Sequence, residues 1–273
     1  MLNRLQHNGV WHAMIDLTDY ECGGKSPKHY KRDLERLQAR LERIHVAHIE
    51  HDAHAVIMVE GWDAAGKGGM IERMTAGWDQ RHFEVYPIGA PTAEEKRHDY
   101  LWRFRIHLPP PREITVFDRS WYGRVLVERV EGFASEAEWQ RAYDEINAFE
   151  AEIQAMGITL VKLFVHITQD EQDKRLAKRL DNPWKRWKTG AEDYRNRAKR
   201  DEYCAAMHDM FAQTDTENAP WFVVAGNDKK SARIAALTHV ADTLEAAVDM
   251  NPPPRDPAVV ALAQAAFGYE PKD

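Results

Sequence analysis

The chain has 273 residues, 44% of them hydrophobic, and a formal net charge of −7. That is enough apolar material for a core in one or two domains and excludes wholesale disorder. The acidic total argues against a nucleic-acid coat protein but permits a locally basic anion site. Two cysteines, Cys22 and Cys204, are too few for a disulfide framework and lack metal-ligand spacing, which fits a cytoplasmic protein. No run approaches the ~18 apolar residues of a membrane span, and the N-terminus does not resemble a signal peptide.

A polar lead covers residues 1–27 and ends at Ser26-Pro27, a helix N-cap followed by a first helical position. A charged amphipathic helix is predicted over about 28–50, with Leu34, Leu37, Leu41 and Ile44 on one face. His45, His48, His51 and His54 recur at every third residue. That spacing spreads them around a helix, no H-E-x-x-H pattern accompanies them, and they read as an exposed polar stripe rather than a metal site. Strands are predicted at 55–60, 83–88, 114–118, 158–167 and 221–225, and helices at about 67–77, 93–107, 135–156, 170–213 and 229–249. Pro252, Pro253 and Pro254 stop the last helix, and a weakly structured tail over 251–273 is expected. The alternation predicts an α/β fold in three layers, with about five parallel strands between helices. Trp102, Trp121, Trp139, Trp184, Trp187 and Trp221 read as packing residues. Gly226-Asn227-Asp228, after the last strand, is a weak candidate for contacting a nucleotide base.

The strand at 55–60 runs into Gly61, four residues follow, and then come Gly66 and Lys67. This G-x-x-x-x-G-K skeleton, between a strand and a helix, is a phosphate-binding loop whose backbone N–H groups face anionic oxygen. Gly61, Ala64, Ala65, Gly66, Gly68 and Gly69 are the backbone contacts, and Lys67 reaches terminal phosphates. The usual Ser or Thr after the lysine, which holds Mg²⁺, is Gly68 here. Asp63, within the loop, is the candidate replacement ligand. Asp118 ends an apolar strand, where a second metal contact belongs, and Arg119 follows it with a planar donor fork suited to phosphate.

Between Lys174 and Arg200 stand eleven Lys and Arg residues, opposed only by Asp181, Glu192 and Asp193. Asn182-Pro183 and Thr189-Gly190 interrupt the segment, which reads as a mobile helical lid over about 174–200. Arg179 is placed as an arginine finger and Arg175, one turn earlier, as a second phosphate contact. Arg73, Arg81, Lys96, Arg97, Arg103 and Arg105 are candidates to extend a positive track.

Together GWDAAGKGG (61–69), PIGAPTAEEK (87–96), YLWRFRIHLP (100–109), FDRSWYGRVLVERVEGF (117–133), HITQDEQDKRL (166–176), NPWKRWK (182–188) and APWFVVAGNDKKSARI (219–234) resemble the type 2 polyphosphate kinases. The resemblance places the domain at 28–250 and implies a P-loop kinase fold similar to thymidylate kinase. It also implies Mg²⁺-dependent phosphoryl transfer, with Mn²⁺ as a substitute, between inorganic polyphosphate and adenine or guanine nucleotides. By motif, Asp63 and Lys67 belong to the loop, Asp118 and Arg119 to the second motif, and Arg179 to the lid. Arg124 and Glu128 lie in a further motif, with Arg124 a phosphate contact. The wording is closest to the AMP phosphotransferase branch, whose members often carry two fused copies; the motifs occur here once. AMP to ADP is the favoured reaction, with ADP to ATP open, in a homodimer or homotetramer. The competing readings are an ATP-dependent nucleoside monophosphate kinase and a non-catalytic nucleotide or polyphosphate sensor. The glycine after Lys67 and the broad basic segment count against the first. The intact Asp63, Lys67, Asp118 and Arg119 count against the second.

Overall fold

The structure, a computed structural model, describes residues 4–7, 10–13, 15–22 and 24–271. The lead contains an antiparallel hairpin, β1 (Arg4–His7) with β2 (Val10–Ala13). Then come α1 (Tyr30–Glu50), β3 (Ala55–Gly61), α2 (Lys67–Met74), β4 (Phe83–Pro87), α3 (Trp102–Arg105) and β5 (Ile114–Asp118). The second half adds α4 (Val127–Val130), α5 (Glu136–Ala155), β6 (Thr159–His166), α6 (Gln169–Asp181), α7 (Ala191–Ala198), α8 (Arg200–Thr214), β7 (Trp221–Ala225), α9 (Lys229–Ala246) and α10 (Pro257–Phe267). Among the described residues no helix is long and apolar enough to cross a membrane.

Strands β3 to β7 form one parallel sheet in the order β4-β5-β3-β6-β7. Helix α1 packs on α9 and α2, and α5 packs on β6 and α8. The three-layer α/β reading therefore holds. β3 is the middle strand, and Ala55 to Val59 are wholly buried there. The chain leaves β3 toward one edge of the sheet and later crosses it toward the other. The crevice at the carboxyl end of β3 is thus the point where strand order reverses, the usual place for a ligand in such sheets.

One buried polar group interrupts the apolar strand β6. Lys162, 1% exposed, donates to Glu150 Oε2 at 2.9 Å, to the Thr214 carbonyl at 2.8 Å and to the Tyr122 hydroxyl at 3.0 Å. Three donor positions meet three acceptors, so the charge is buried with its hydrogen bonds made. The group ties α5, β6, the end of α8 and the turn after β5.

Several local expectations are corrected. Helix α1 begins after His29 as N-cap, while the Ser26 hydroxyl donates to Asp228 instead. The segment 93–107 is not one helix, because Asp99 Oδ1 accepts from the Leu101 amide at 3.0 Å and starts α3 afresh. The segment 170–213 is three helices: Asn182 is extended before Pro183, as sterics before proline demand, and Gly190 opens α7. The tail contains α10, started by Asp256 Oδ1 accepting from the Ala258 amide and ended by left-handed Gly268.

Half of the histidine stripe is buried, while His51 is exposed and His54 half-buried. His45 and His48 are 1% and 0% exposed, on the face of α1 that carries Leu41 and Ile44. His45 stacks on Trp78 with centroids 5.0 Å apart, and His48 Nε2 meets the Leu244 carbonyl at 3.2 Å. His51 is already the C-cap of α1, and His54 lies beyond it. Of the six tryptophans read as packing residues, Trp184 and Trp187 are 88% and 78% exposed; Trp121 and Trp221 are buried.

Burial pushes His45 down to about 4 and also lowers His48. The folded state holds these rings neutral, whereas the unfolded chain protonates them near pH ~6.5. Their contribution to stability is present above that pH and is lost as pH falls toward 4. We expect the urea midpoint to drop over this range, and His45→Phe to flatten the drop in urea melts at several pH values.

Candidate phosphate-transfer site

The site is built on the loop between β3 and α2. Gly61 has φ +135°, and a Cβ there would lie 2.3 Å from the Val165 carbonyl oxygen. Only glycine lets β3 leave the sheet this close to β6. Ala64 and Gly66 also take positive φ, at +63° and +112°, so the loop curls back toward the start of α2. Position 68 is different. A Cβ on Gly68 would meet nothing nearer than Asp118 Oδ2 at 3.8 Å, so packing within the chain does not forbid the usual hydroxyl residue.

The loop is held from behind by Arg175 on α6. This guanidinium, 6% exposed, donates to the carbonyls of Ala65 (2.6 Å), Ala64 (3.3 Å), Gly226 (2.7 Å) and Asn227 (3.1 Å), while its Nε donates to Glu171. Arg175 was expected as a phosphate contact; its donors are committed to the loop's carbonyls instead. The Gly226–Asp228 turn, expected near a base, is likewise committed. Asn227 Oδ1 accepts from the Thr168 amide and Asp228 caps α9.

Trp62, inside the loop, fixes its floor. Its indole N–H donates to His166 Nδ1 at 2.9 Å, and Arg200 lies over its ring at 3.9 Å. Burial and the neighbouring Arg200 push His166 down to about 4, so its Nδ1 stays free to accept. Lys67, 8% exposed, folds back to donate to the carbonyls of Gly61 at 2.7 Å and Trp62 at 3.2 Å.

Asp63 and Arg119 do meet. Arg119 Nη2 donates to Asp63 Oδ1 at 2.7 Å, and Asn196 Nδ2, from the lid, donates to Oδ2 at 3.0 Å. Burial works to raise the Asp63 carboxyl, but Lys67, Arg119 and Asn196 outweigh it and hold the group below its ordinary value. Arg119 sits at φ +69°, an uncommon angle for a side-chain-bearing residue, with its amide donating to the Val59 carbonyl. Glu60, 5% exposed, precedes Gly61 and accepts from the Ser120 hydroxyl at 2.8 Å; burial raises its pKa against Ser120, Lys67 and Arg119.

Asp118 ends β5 facing Gly68, and its carboxylate takes no hydrogen bond or ion pair among the described residues. Asp63 and Asp118 thus flank the start of α2. Among the described residues no cluster of three metal-ligating side chains exists. Two carboxylates without a third suit Mg²⁺, which commonly takes one or two carboxylates plus substrate phosphate oxygens.

The remaining expected contacts lie elsewhere. Arg124 stacks over Tyr100 at 4.4 Å and pairs with Glu128 at 3.2 Å, and neither contact is to the loop. Arg179 donates to the Lys188 carbonyl at 3.0 Å and lies 3.9 Å from Asp193, inside the lid. The lid's charge is also less bare than its sequence suggests. Arg195 and Lys199 both meet Glu131, Arg197 meets Asp173, and Lys174 meets Glu171. Of the proposed track, Arg81, Arg97, Arg103 and Arg105 pair with Asp79, Glu94, Glu95 and Glu152. Arg73 stays by the loop, donating to the Gly69 carbonyl at 2.6 Å.

Sequence reasoning missed a cationic group on α9. Lys229 and Arg233 stand near Arg175 and Arg179, and Arg233 lies beside Gly69. Partial burial, then Arg175, Arg233 and Arg179, push Lys229 down to about 8. Lys229 and Arg233 lie four residues apart on one helix face, a pattern the sequence could have offered.

A loop of this form on a five-stranded parallel sheet, under a helical lid, defines a phosphate-binding α/β fold of the P-loop kinase class. The family model for polyphosphate kinase 2 matches residues 24–252, and the chain belongs to that family. It is 48% identical over 219 residues to the polyphosphate:AMP phosphotransferase of Pseudomonas aeruginosa, covering 80% of this chain and 44% of that protein. It is 37% identical over 232 residues to ADP-polyphosphate phosphotransferase 3 of Rhizobium meliloti, covering 85% and 80%. The crystal structure of polyphosphate kinase 2 from Arthrobacter aurescens TC1 superposes with a TM-score of 0.84 at 34% identity, covering 96% of this chain and 94% of that one. The chain spans about half the length of the AMP phosphotransferases it matches.

Replacing Arg175 leaves four carbonyls, three of them buried, short of a donor. We expect Arg175→Ala to destabilise the fold by on the order of 3 kcal/mol in urea melts and to weaken phosphate binding to the loop.

Proposed function

We propose that this domain transfers phosphoryl groups between inorganic polyphosphate and nucleoside mono- or diphosphates, with AMP to ADP favoured over ADP to ATP as the reaction and Mg²⁺ as cofactor. The observation that carries the reading is the pairing of two anion-seeking features. A phosphate loop with Lys67, Asp63 and Arg119 lies beside a second cationic group, Arg73, Lys229 and Arg233. One phosphate group needs only the first. A linear polyanion that also runs past the loop needs both. The names of the relatives, AMP phosphotransferases at 45–48% identity and an ADP phosphotransferase at 37%, support the same chemistry.

In this reading the attacking atom is an oxygen of the nucleotide's terminal phosphate. With a second pKa near ~6 it is largely ionised at neutral pH and needs no strong general base. That oxygen bonds to the terminal phosphorus of polyphosphate, the bridging P–O bond breaks, and the shortened chain leaves with the electron pair. The domain's task is alignment and charge neutralisation. The loop amides and Lys67 hold one set of phosphate oxygens; Lys67 must leave the Gly61 and Trp62 carbonyls to do so. Arg119 presents its fork at the mouth of the loop, with Asp63 fixing its direction. Bound Mg²⁺ would supply positive charge between the phosphates, held by Asp118 and Asp63. Arg179 is one turn beyond Arg175 and would reach the transferring group when the lid rearranges.

A donor–acceptor matrix tests the reading: polyphosphate or ATP as donor, AMP, ADP, GMP or GDP as acceptor, each with and without Mg²⁺. We expect ADP from polyphosphate and AMP; product from ATP alone would identify an ordinary monophosphate kinase, and binding without turnover a sensor. Asp118→Asn should lower kcat by ~10²-fold or more with folding intact. Lys229→Ala with Arg233→Ala should raise KM for polyphosphate more than for AMP and flatten its dependence on salt, by analogy with counterion release from nucleic acids.

A further inference from the structure

We propose that Asn196 is a positioning residue that latches the lid onto Asp63, so that docking of α7 and the orientation of the loop carboxylate are one event. The proposal rests on the phosphotransfer reading for its kinetic consequences but not for its geometry.

The Asp63 side chain is 10% exposed, and its two oxygens have different owners. Oδ1 accepts from Arg119, which follows β5 in the body of the domain; Oδ2 accepts from Asn196 on lid helix α7. The carboxylate's backbone is fixed separately, since the Asp63 carbonyl accepts from Gln172 Nε2 at 3.2 Å. Its side-chain rotation is therefore set by one donor on each side, and only one of them can move with the lid.

The Asn196 amide has a defined direction. Its Oδ1 accepts from the Tyr203 hydroxyl at 3.1 Å, which leaves Nδ2 for Asp63. Tyr203 belongs to α8 and packs edge-on to the loop residue Trp62, with centroids 6.2 Å apart. A chain of contacts thus runs Tyr203, Asn196, Asp63, Arg119, with both ends anchored in the body. On the same helix, Arg195 Nε meets Glu131 at 2.9 Å, and Lys199, its C-cap, meets the same carboxylate at 3.3 Å. Those ion pairs hold α7 down but touch nothing in the loop. Asn196 is the α7 side chain that does.

Withdrawal of α7 would leave Asp63 Oδ2 without its donor while Arg119 still pulls on Oδ1. The carboxylate could then rotate fully toward Arg119, a pairing that removes both groups from phosphate and cation. With α7 docked, the second hydrogen bond keeps Asp63 between its partners. Other charge near Asp63 comes from Lys67 on α2, which lies outside the lid.

The test compares Asn196→Ala, Asn196→Asp and Tyr203→Phe with the wild-type chain. Two readouts are used: steady-state kinetics with polyphosphate and AMP, and the rate of trypsin cleavage after Lys199, at the end of α7, which requires α7 to leave its seat. Loss of a hydrogen bond to a charged group should raise cleavage in Asn196→Ala by about tenfold or more. It should lower kcat by a similar factor with little change in KM. Asn196→Asp is nearly isosteric but places a second carboxylate against Asp63, so it should be worse than alanine in both readouts. A space-filling role predicts the opposite order. Tyr203→Phe should shift both readouts the same way, but less.

The proposal is overturned if Asn196→Ala leaves cleavage and kcat unchanged, or if Asn196→Asp is milder than Asn196→Ala. Thermal melts confirm that each variant is folded, and the alanine and phenylalanine variants carry the test if the aspartate one is not. Failure of the wild-type chain to use polyphosphate would remove the functional reading, while the cleavage comparison would still decide the latch.

Discussion

The site depends on one arginine gathering carbonyls. Arg175 draws the oxygens of Ala64, Ala65, Gly226 and Asn227 toward a single buried guanidinium. A peptide group points its N–H opposite its C=O, so turning the Ala65 carbonyl inward turns the Gly66 amide outward, while the Ala65 amide stays inside the loop and donates to the Trp62 carbonyl at 3.1 Å. The ligand-facing side of the loop is thus made by what happens behind it. Gly61 completes the constraint, since any Cβ there would press on the Val165 carbonyl. Trp62, held by His166 and Arg200, keeps the loop seated on β6.

The second constraint is the placing of charge. The chain totals −7, and among the described residues many of its cations are answered by a carboxylate. Glu131 receives two lid cations, Asp173 and Glu171 receive others, and the arginines after β4 have their own partners. Around the loop the balance differs. Partial burial first, and then Arg175, Arg233 and Arg179, lower the Lys229 pKa, with Glu171 opposing them. The same electrostatics hold Asp63 ionised despite its burial.

Much of this was legible in the sequence. All five sheet strands match their sequence positions within a residue or two, because the buried ones are short apolar runs, the edge strand β4 alternates Phe83, Val85 and Pro87 with polar residues, and the parts between have helical periodicity. The loop, Asp118 and Arg119 were legible because their motif is local. The misses share a cause. His45 and His48 look polar in sequence, yet α9 and the Trp78 region supply partners that allow burial. The lid's cations look unopposed within 174–200, yet Glu131 and Asp173 lie outside that window. Arg175 and Arg179 look equivalent one turn apart, yet only Arg175 faces the loop's carbonyls.

The sequence by itself determined that this is an α/β chain with a phosphate loop, a second acidic strand end and a segmented basic lid. Each of those is written in contacts between residues a few positions apart, where spacing alone sets geometry. Only the tertiary structure decided which side chains face the loop, which brace it and which merely pair with each other. Asn196 reaches Asp63 across 133 positions, and Arg175 reaches Ala65 across 110. Such partners are chosen by how the lid and the sheet pack. Local periodicity carries no record of that choice, because a hydrogen bond depends on distance in space and not along the chain.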